Sequence, residues 1–207
     1  MLRFGTAGLR GPLGPGPDAM NPDTVARASA GVAQWLRDSC LGGGLVVVGR
    51  DARHGSAEFA AVTAQVFSAA GFSVLSLPEP LPTPVLAYAV RELKAVAGVQ
   101  ITASHNPATD NGYKLYLSGG AQLIPPADTE IERCIDAACE PIARAQPTPP
   151  DISLPGLSSA DLGAEMLLRY LARAAAIPDI VGGPRDKRIT ERRKHLRIAL
   201  TPMHGVG

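Results

Sequence analysis

Two segments of helical period flank a short β-branched run, and this alternation restricts the fold more than any other feature of the chain. After Asn21–Pro22, the apolar residues Val25, Ala28, Val32, Trp35 and Leu36 recur at helical spacing. The asparagine can cap such a helix, and a proline costs nothing at its first position, where the N–H has no intrahelical partner. Three glycines at 42–44 end the segment, and LVVVG (45–49) follows as a continuous apolar run suited to a strand covered on both faces. Phe59, Val62, Val66 and Phe67 then mark a second helix, expected to be capped by Ser56 and to end at Gly71. The sequence continues with a strand in FSVLSLP (72–78), an apolar helix over roughly 84–94 behind Pro82 and Pro84, and a strand in VAGVQIT (96–102). GYKLYL (112–117) predicts a strand with Tyr113, Leu115 and Leu117 on one face and Lys114 and Tyr116 on the other. A helix around 127–139 closes the series. Strands alternating with helices predict an α/β sandwich, with a mixed, largely parallel sheet flanked by helices.

From Pro141 the texture changes, and three regions are expected: an α/β domain over 1–140, a proline-rich linker over 141–160, and a final region over 161–207. The last holds an amphipathic helix (161–176), a basic segment (184–195) read as a solvated face, and a strand with a glycine loop (196–207) that suggests the truncated start of a second domain. Net charge is only +1 and aromatic residues are 4% of the chain, which argues against a nucleic-acid surface. No apolar run approaches the ~20 residues of a membrane span. Cys40, Cys134 and Cys139 form no even disulfide set, and the amino terminus shows no signal peptide, so a cytoplasmic location is expected. The cysteine spacing also disfavours zinc, and His54, His195 and His204 show no metal-ligand spacing.

Three stretches can carry chemistry. In ITASHNPATDNGYKLY (101–116), Ser104 follows a strand, where ligands of open α/β sheets bind. His105 is its neighbour in sequence, so a protease-like Ser–His pair is not implied, and the G-x-S-x-G elbow is absent. A polar loop followed by a lysine on a strand suits an anionic group held on the serine, with Asn106, Lys114 and backbone N–H groups as donors. SHNP and DNG are equally ordinary turn chemistry. FGTAGLRGPLGPG (4–16), including Thr6, forms either a glycine-rich surface turn or a loop that approaches a ligand closely, with Arg10 reaching a phosphate. In VGRDARHGS (48–56), Arg50, Asp51 and Arg53 form either a charged lattice beneath the active loop or a structural ion-pair network.

Taken together, TASHNPATDNGYK resembles the phosphoserine loop of the α-D-phosphohexomutase family, FGTAGLRG its amino-terminal loop, and GRDARHGS its arginine loop. The resemblance implies the family's phosphoserine domain and a phosphosugar mutase, interconverting hexose 1- and 6-phosphates (phosphomannomutase or phosphoglucomutase). Ser104 would carry the phosphoryl group, and a sugar bisphosphate would serve as intermediate and activator. Lys114 would act as general acid/base, Arg10 would face the reacting phosphate, and His105 and Asn106 would shape the loop and contact substrate. Thr6, Arg50, Asp51 and Arg53 would bind substrate phosphate, and Mg²⁺ would bind through the Ser104 phosphate. The partners implied are small sugar phosphates, with no nucleic acid and no membrane. An aspartate-rich metal loop and the family's sugar-selecting and phosphate-clamping loops have no counterpart here, so the chain by itself is expected to be inactive. The alternatives are a phosphopentomutase, a non-catalytic sugar-phosphate-binding module and an unrelated serine hydrolase.

Overall fold

The computed structural model describes residues 2–5, 8–148, 150, 152, 161–182, 191–192 and 194–201. Thr6, His204 and most of the basic segment lie outside the described residues. The chain begins with β1 (Leu9–Pro12), α1 (Pro22–Asp38), β2 (Leu45–Arg50), α2 (Ser56–Ala69), β3 (Ser73–Ser76) and α3 (Thr83–Glu92). It continues with β4 (Ala97–Ile101), β5 (Asp110–Leu117), β6 (Ala121–Gln122), α4 (Ala127–Asp136) and α5 (Leu162–Gly182).

The strands form one sheet in the order β1-β5-β4-β2-β3, with β6 on β5. It is mixed, as expected, but parallel pairing is confined to β3-β2-β4. β5 runs antiparallel to β4, β1 and β6, so "largely parallel" describes only half of the sheet. The physical reason is connection length. The loop from β4 to β5 is too short for the helical crossover that a parallel pair requires, so β5 returns antiparallel.

Helices cover both faces. One core gathers Val25, Val32 and Leu36 of α1, Phe59, Val66 and Phe67 of α2, and Ile131 of α4 against Val46, Val48, Tyr113 and Leu115 of the sheet. The other packs Val85, Leu86 and Val90 of α3 and Leu162 and Met166 of α5 against Val47, Leu75 and Tyr116. The alternation predicted for β5 is therefore correct: Tyr113 and Leu115 face α1, and Tyr116 faces α3. Each fully buried side chain such as Phe67 contributes about 1.5–3 kcal/mol of hydrophobic stabilisation. α5 joins this body because Leu162 and Met166 lie completely buried against α3 and Tyr170 meets Tyr88 edge-on at 5.8 Å.

The start of α1 follows its sequence signal. Asn21 Oδ1 accepts from Thr24 N at 2.9 Å, and Asn21 Nδ2 donates to the carbonyls of Gly14, Gly16 and Ala19. Replacing Asn21 by alanine removes the cap and the amide's bonds to these carbonyls, of which Ala19 O keeps Thr24 Oγ1 and Gly16 O keeps Ala19 N, at an expected cost of about 1–2 kcal/mol. Urea unfolding will show a lower midpoint at unchanged m.

Several expectations are corrected. Ser56 opens α2 but does not cap it; the N-cap is Gly55, at φ 77° with no side-chain cap bond. Ser56 Oγ donates instead to the buried Asp51 carboxylate at 2.6 Å, a charge-assisted bond, and accepts from Asn111 Nδ2 at 2.9 Å, so its oxygen is turned to these partners and not to the helix N–H groups. Asp110–Gly112 is not a turn but the first part of β5. β1 has no counterpart among the expected strands, because a four-residue strand spelled LRGP shows no period and takes its strand form from pairing to β5. Among the described residues, 196–201 form no strand and are exposed.

Candidate functional site

Arg10, Lys114 and the Ser104 loop come from three adjacent strands. Arg10 on β1 pairs with Gly112 on β5, and Lys114 lies two residues further along β5, so both cations sit on one face. Lys114 pairs in turn with Gln100 on β4, and the Ser104 loop leaves β4 beyond Ile101. Gly112 makes this convergence possible. A Cβ there would lie 2.7 Å from the carbonyl oxygens of both Leu9 and Thr102 and 3.1 Å from Arg10 Cγ. Gly8 is equally constrained: at φ 76° its added Cβ would collide with the Tyr113 carbonyl.

Ser104 adopts φ 58°, in the left-handed region that non-glycine residues avoid. Its N–H donates to Thr102 Oγ1 at 3.0 Å. Backbone strain of this kind collects at functional sites and persists only where the surroundings over-determine it. Here the surroundings are identifiable. Arg53 is 6% exposed, and its Nε donates to Asp51 Oδ2 at 3.1 Å. Its Nη1 donates to the carbonyls of Pro107 (2.7 Å) and Asp110 (3.2 Å), and its Nη2 to those of Ser104 (2.6 Å) and Asn106 (3.0 Å). Asp51, 2% exposed, also accepts from the Arg53 N–H and from Ser56 Oγ. Arg53 and Asp51 thus have the geometry of the lattice beneath the loop. Arg50 ends β2 half-buried beside them.

Within the loop, Asn106 is half-buried, with Nδ2 donating to Asp110 Oδ2 at 3.0 Å, while His105 is exposed. Asn111, which sequence reasoning does not single out, is fully buried. Its Nδ2 donates to the His54 carbonyl and to Ser56 Oγ, both at 2.9 Å, and its Oδ1 accepts from Gly112 N. The signal is present in DNG, but the same three letters serve a turn and a bracing asparagine equally well.

Burial lowers the Lys114 ammonium below the ordinary lysine value, and the Arg10 guanidinium pushes it further, with Asp51 opposing. Among the described residues, Arg10 Nε is itself buried without a hydrogen-bond partner. A lysine lowered by folding binds fewer protons folded than unfolded. It therefore destabilises the fold fully below its folded pKa, and the penalty is relieved as pH rises from there towards the ordinary lysine value. Lys114→Met is expected to raise the thermal midpoint at neutral pH. The difference from the parent should shrink across that alkaline window in a pH series of melting curves.

Two cavities lie elsewhere. One of about 580 Å³ opens between α1, α2 and the 137–143 segment, and one of about 350 Å³ lies beside Leu2, Pro17 and Arg27. Neither is lined by Ser104, Lys114 or Arg10. Among the described residues no group of three or more His, Cys, Asp or Glu could hold a metal ion, and all three cysteines are free. No helix among them is long and apolar enough to cross a membrane.

Known proteins resemble the chain in sequence and in fold. The chain is 36% identical over its whole length to a probable phosphoribomutase of Schizosaccharomyces pombe, covering 34% of that protein. It is 48% identical to the phosphoribomutase of Saccharomyces cerevisiae over 69% of the chain, covering 23% of that protein. In structure it resembles a provisionally named phosphomannomutase from Thermus thermophilus, with TM-score 0.64 and 34% identity over 70% of this chain and 32% of that one. The chain thus spans about a quarter to a third of the length of these relatives. Residues 1–141 match the family model described as phosphoglucomutase/phosphomannomutase, alpha/beta/alpha domain I, and the chain belongs to that family.

Proposed function

We propose that the full-length protein is a phosphosugar mutase and that Ser104 is its phosphoryl carrier. The observation that carries this reading is the pair of cations on one sheet face, on β1 and on β5, the latter paired with the strand that leads into the loop of the strained serine: Arg10, with an Nε buried and unpartnered among the described residues, and Lys114, destabilised as an ammonium. Two positive groups on one face, with Arg10 Nε left without an acceptor, favour an anion between them. The ordering of the Ser104 loop by Arg53 supplies the fixed geometry that phosphoryl transfer depends on.

In the proposed step, a sugar hydroxyl attacks the phosphorus on Ser104. The new sugar O–P bond forms as the Ser104 Oγ–P bond breaks, and the hydroxyl proton passes by way of Lys114 to the Ser104 oxygen. Arg10 holds the non-transferring oxygens, and Asn106 and His105 contact the sugar. The return transfer from the bisphosphate places its other phosphate on Ser104. The described residues offer no carboxylate cluster for the Mg²⁺ that the resemblance implies: Asp51 is engaged with Arg53 and Ser56, and Asp110 with Asn106. The chemistry proposed for this chain is therefore that of its own side chains, and residues 1–207 alone are proposed to be inactive.

Two sugar classes fit. Hexose 1- and 6-phosphates suit the family as a whole, whereas the names of both yeast relatives favour a pentose phosphate. Assays of the full-length protein with ribose 1-phosphate, glucose 1-phosphate and mannose 1-phosphate, each with its bisphosphate, decide between them. Intact-mass spectrometry of protein made in cells should show a phosphate-sized addition that is lost in Ser104→Ala. A chain that never carries it, and cannot acquire it from any of the three bisphosphates, refutes the carrier role.

A further inference from the structure

We infer that Arg53 is the positioning residue of the phosphoryl carrier: from beneath the loop it sets the Ser104 backbone and leaves the outer face of the loop to an anion. The inference rests on the carrier reading of Ser104. Arg53 has five N–H donors and all five are used, four of them on main-chain carbonyls spread across the loop at Ser104, Asn106, Pro107 and Asp110. Those carbonyls point inward to a buried cation. Their negative ends are thereby withdrawn from the side where a phosphate would sit, and the left-handed turn at Ser104 is held.

The guanidinium is fixed in turn. Asp51 takes its Nε and its main-chain N–H, Ser56 donates to Asp51, and Asn111 links Ser56 to Gly112 N on β5, two residues before Lys114. One chain of hydrogen bonds therefore joins the carrier loop to the strand of the acid/base lysine. Hydrophobic stability does not require this bracing. His105, Pro107, Ala108 and Thr109 are exposed, and none of them belongs to either core cluster. A buried charge pair that supports an exposed loop is costly to desolvate and contributes geometry rather than core stability.

The test uses the full-length protein with Arg53→Lys. An ammonium has three donors and no planar fork, so it cannot span the same carbonyls. Transfer of phosphate from the sugar bisphosphate to Ser104, followed by intact mass, is expected to slow about 100-fold, the scale of a displacement near 1 Å. In turnover the fall should appear in kcat more than in KM. Backbone amides of residues 104–106 and 108–110 should exchange faster with solvent, while those of α1 stay protected. A variant whose folded fraction takes up phosphate at the parent rate overturns the inference, even if its thermal midpoint falls. If Arg53→Lys does not fold, Asp51→Asn, which keeps the shape but weakens the hold on Nε, must show the same slowed transfer. A parent protein that takes up no phosphate overturns the carrier reading itself. That result is distinct from a phosphorylated parent whose Arg53→Lys variant behaves normally.

Discussion

Ser104→Ala in the full-length protein is expected to lower mutase turnover by roughly four orders of magnitude or more, the scale on which loss of a covalent nucleophile acts. The fold should survive. The serine is half-buried in a loop outside both core clusters, and the bonds that hold its backbone use its N–H and its carbonyl rather than its hydroxyl. Alanine meets the same left-handed constraint at φ 58°, so the thermal midpoint should stay within about 2 °C, as for a surface substitution. The paired measurement is turnover with a sugar 1-phosphate and its bisphosphate, alongside a melting curve. Turnover within tenfold of the parent would remove Ser104 from the chemistry. A midpoint lowered by ten degrees or more would mean that the residue holds the fold.

Gly31→Ala is expected to destabilise the domain by about 2–3 kcal/mol, although helix propensity alone argues for the opposite sign. Gly31 lies inside α1, where replacing glycine by alanine normally gains about 1 kcal/mol. In the folded chain, however, a Cβ at position 31 would stand 2.6 Å from both the N and the Cα of Ile135 in α4. Backbone cannot swing aside as a flexible side chain does, so the whole of α4 must move away from α1, and the packing of Ile131 and Ile135 loosens with it. In a chain of this size the loss corresponds to a fall of roughly 5–10 °C in the melting midpoint. A midpoint equal to or above the parent's would show that α1 and α4 do not approach so closely.

The two predictions mark different depths of legibility. Position 104 stands out in the sequence alone, because a serine in TASHNPATDNGYK after a strand-like run is a local pattern. Position 31 does not, because nothing in GVAQW tells a packing glycine from one merely tolerated in a helix. The same division runs through the site. Alternation places Lys114 on the correct face of its strand, and the lowering of its pKa by burial and by Arg10 is what the acid/base reading requires. Arg53 and Asp51 stand out as charged residues near the loop, but whether they face a ligand or the loop itself depends on carbonyls fifty residues away. Asn111 escapes sequence reasoning for the same reason, since its partners are His54, Ser56 and its own neighbour.

What the chain determines by itself is therefore what short-range chemistry controls. Periods of 3.6 and 2 locate α1, α2 and β5, and Asn21–Pro22 starts a helix through its own hydrogen bonds. A polar loop after β4 places the serine. Only the tertiary structure decides that LRGP becomes a strand, that β5 runs antiparallel between β4 and β1, and that Ser56 serves Asp51 rather than the end of α2. These outcomes hang on pairing and desolvation between segments distant in sequence. A strand edge finds its hydrogen bonds, and a buried carboxylate its donors, only after the sheet has brought them together.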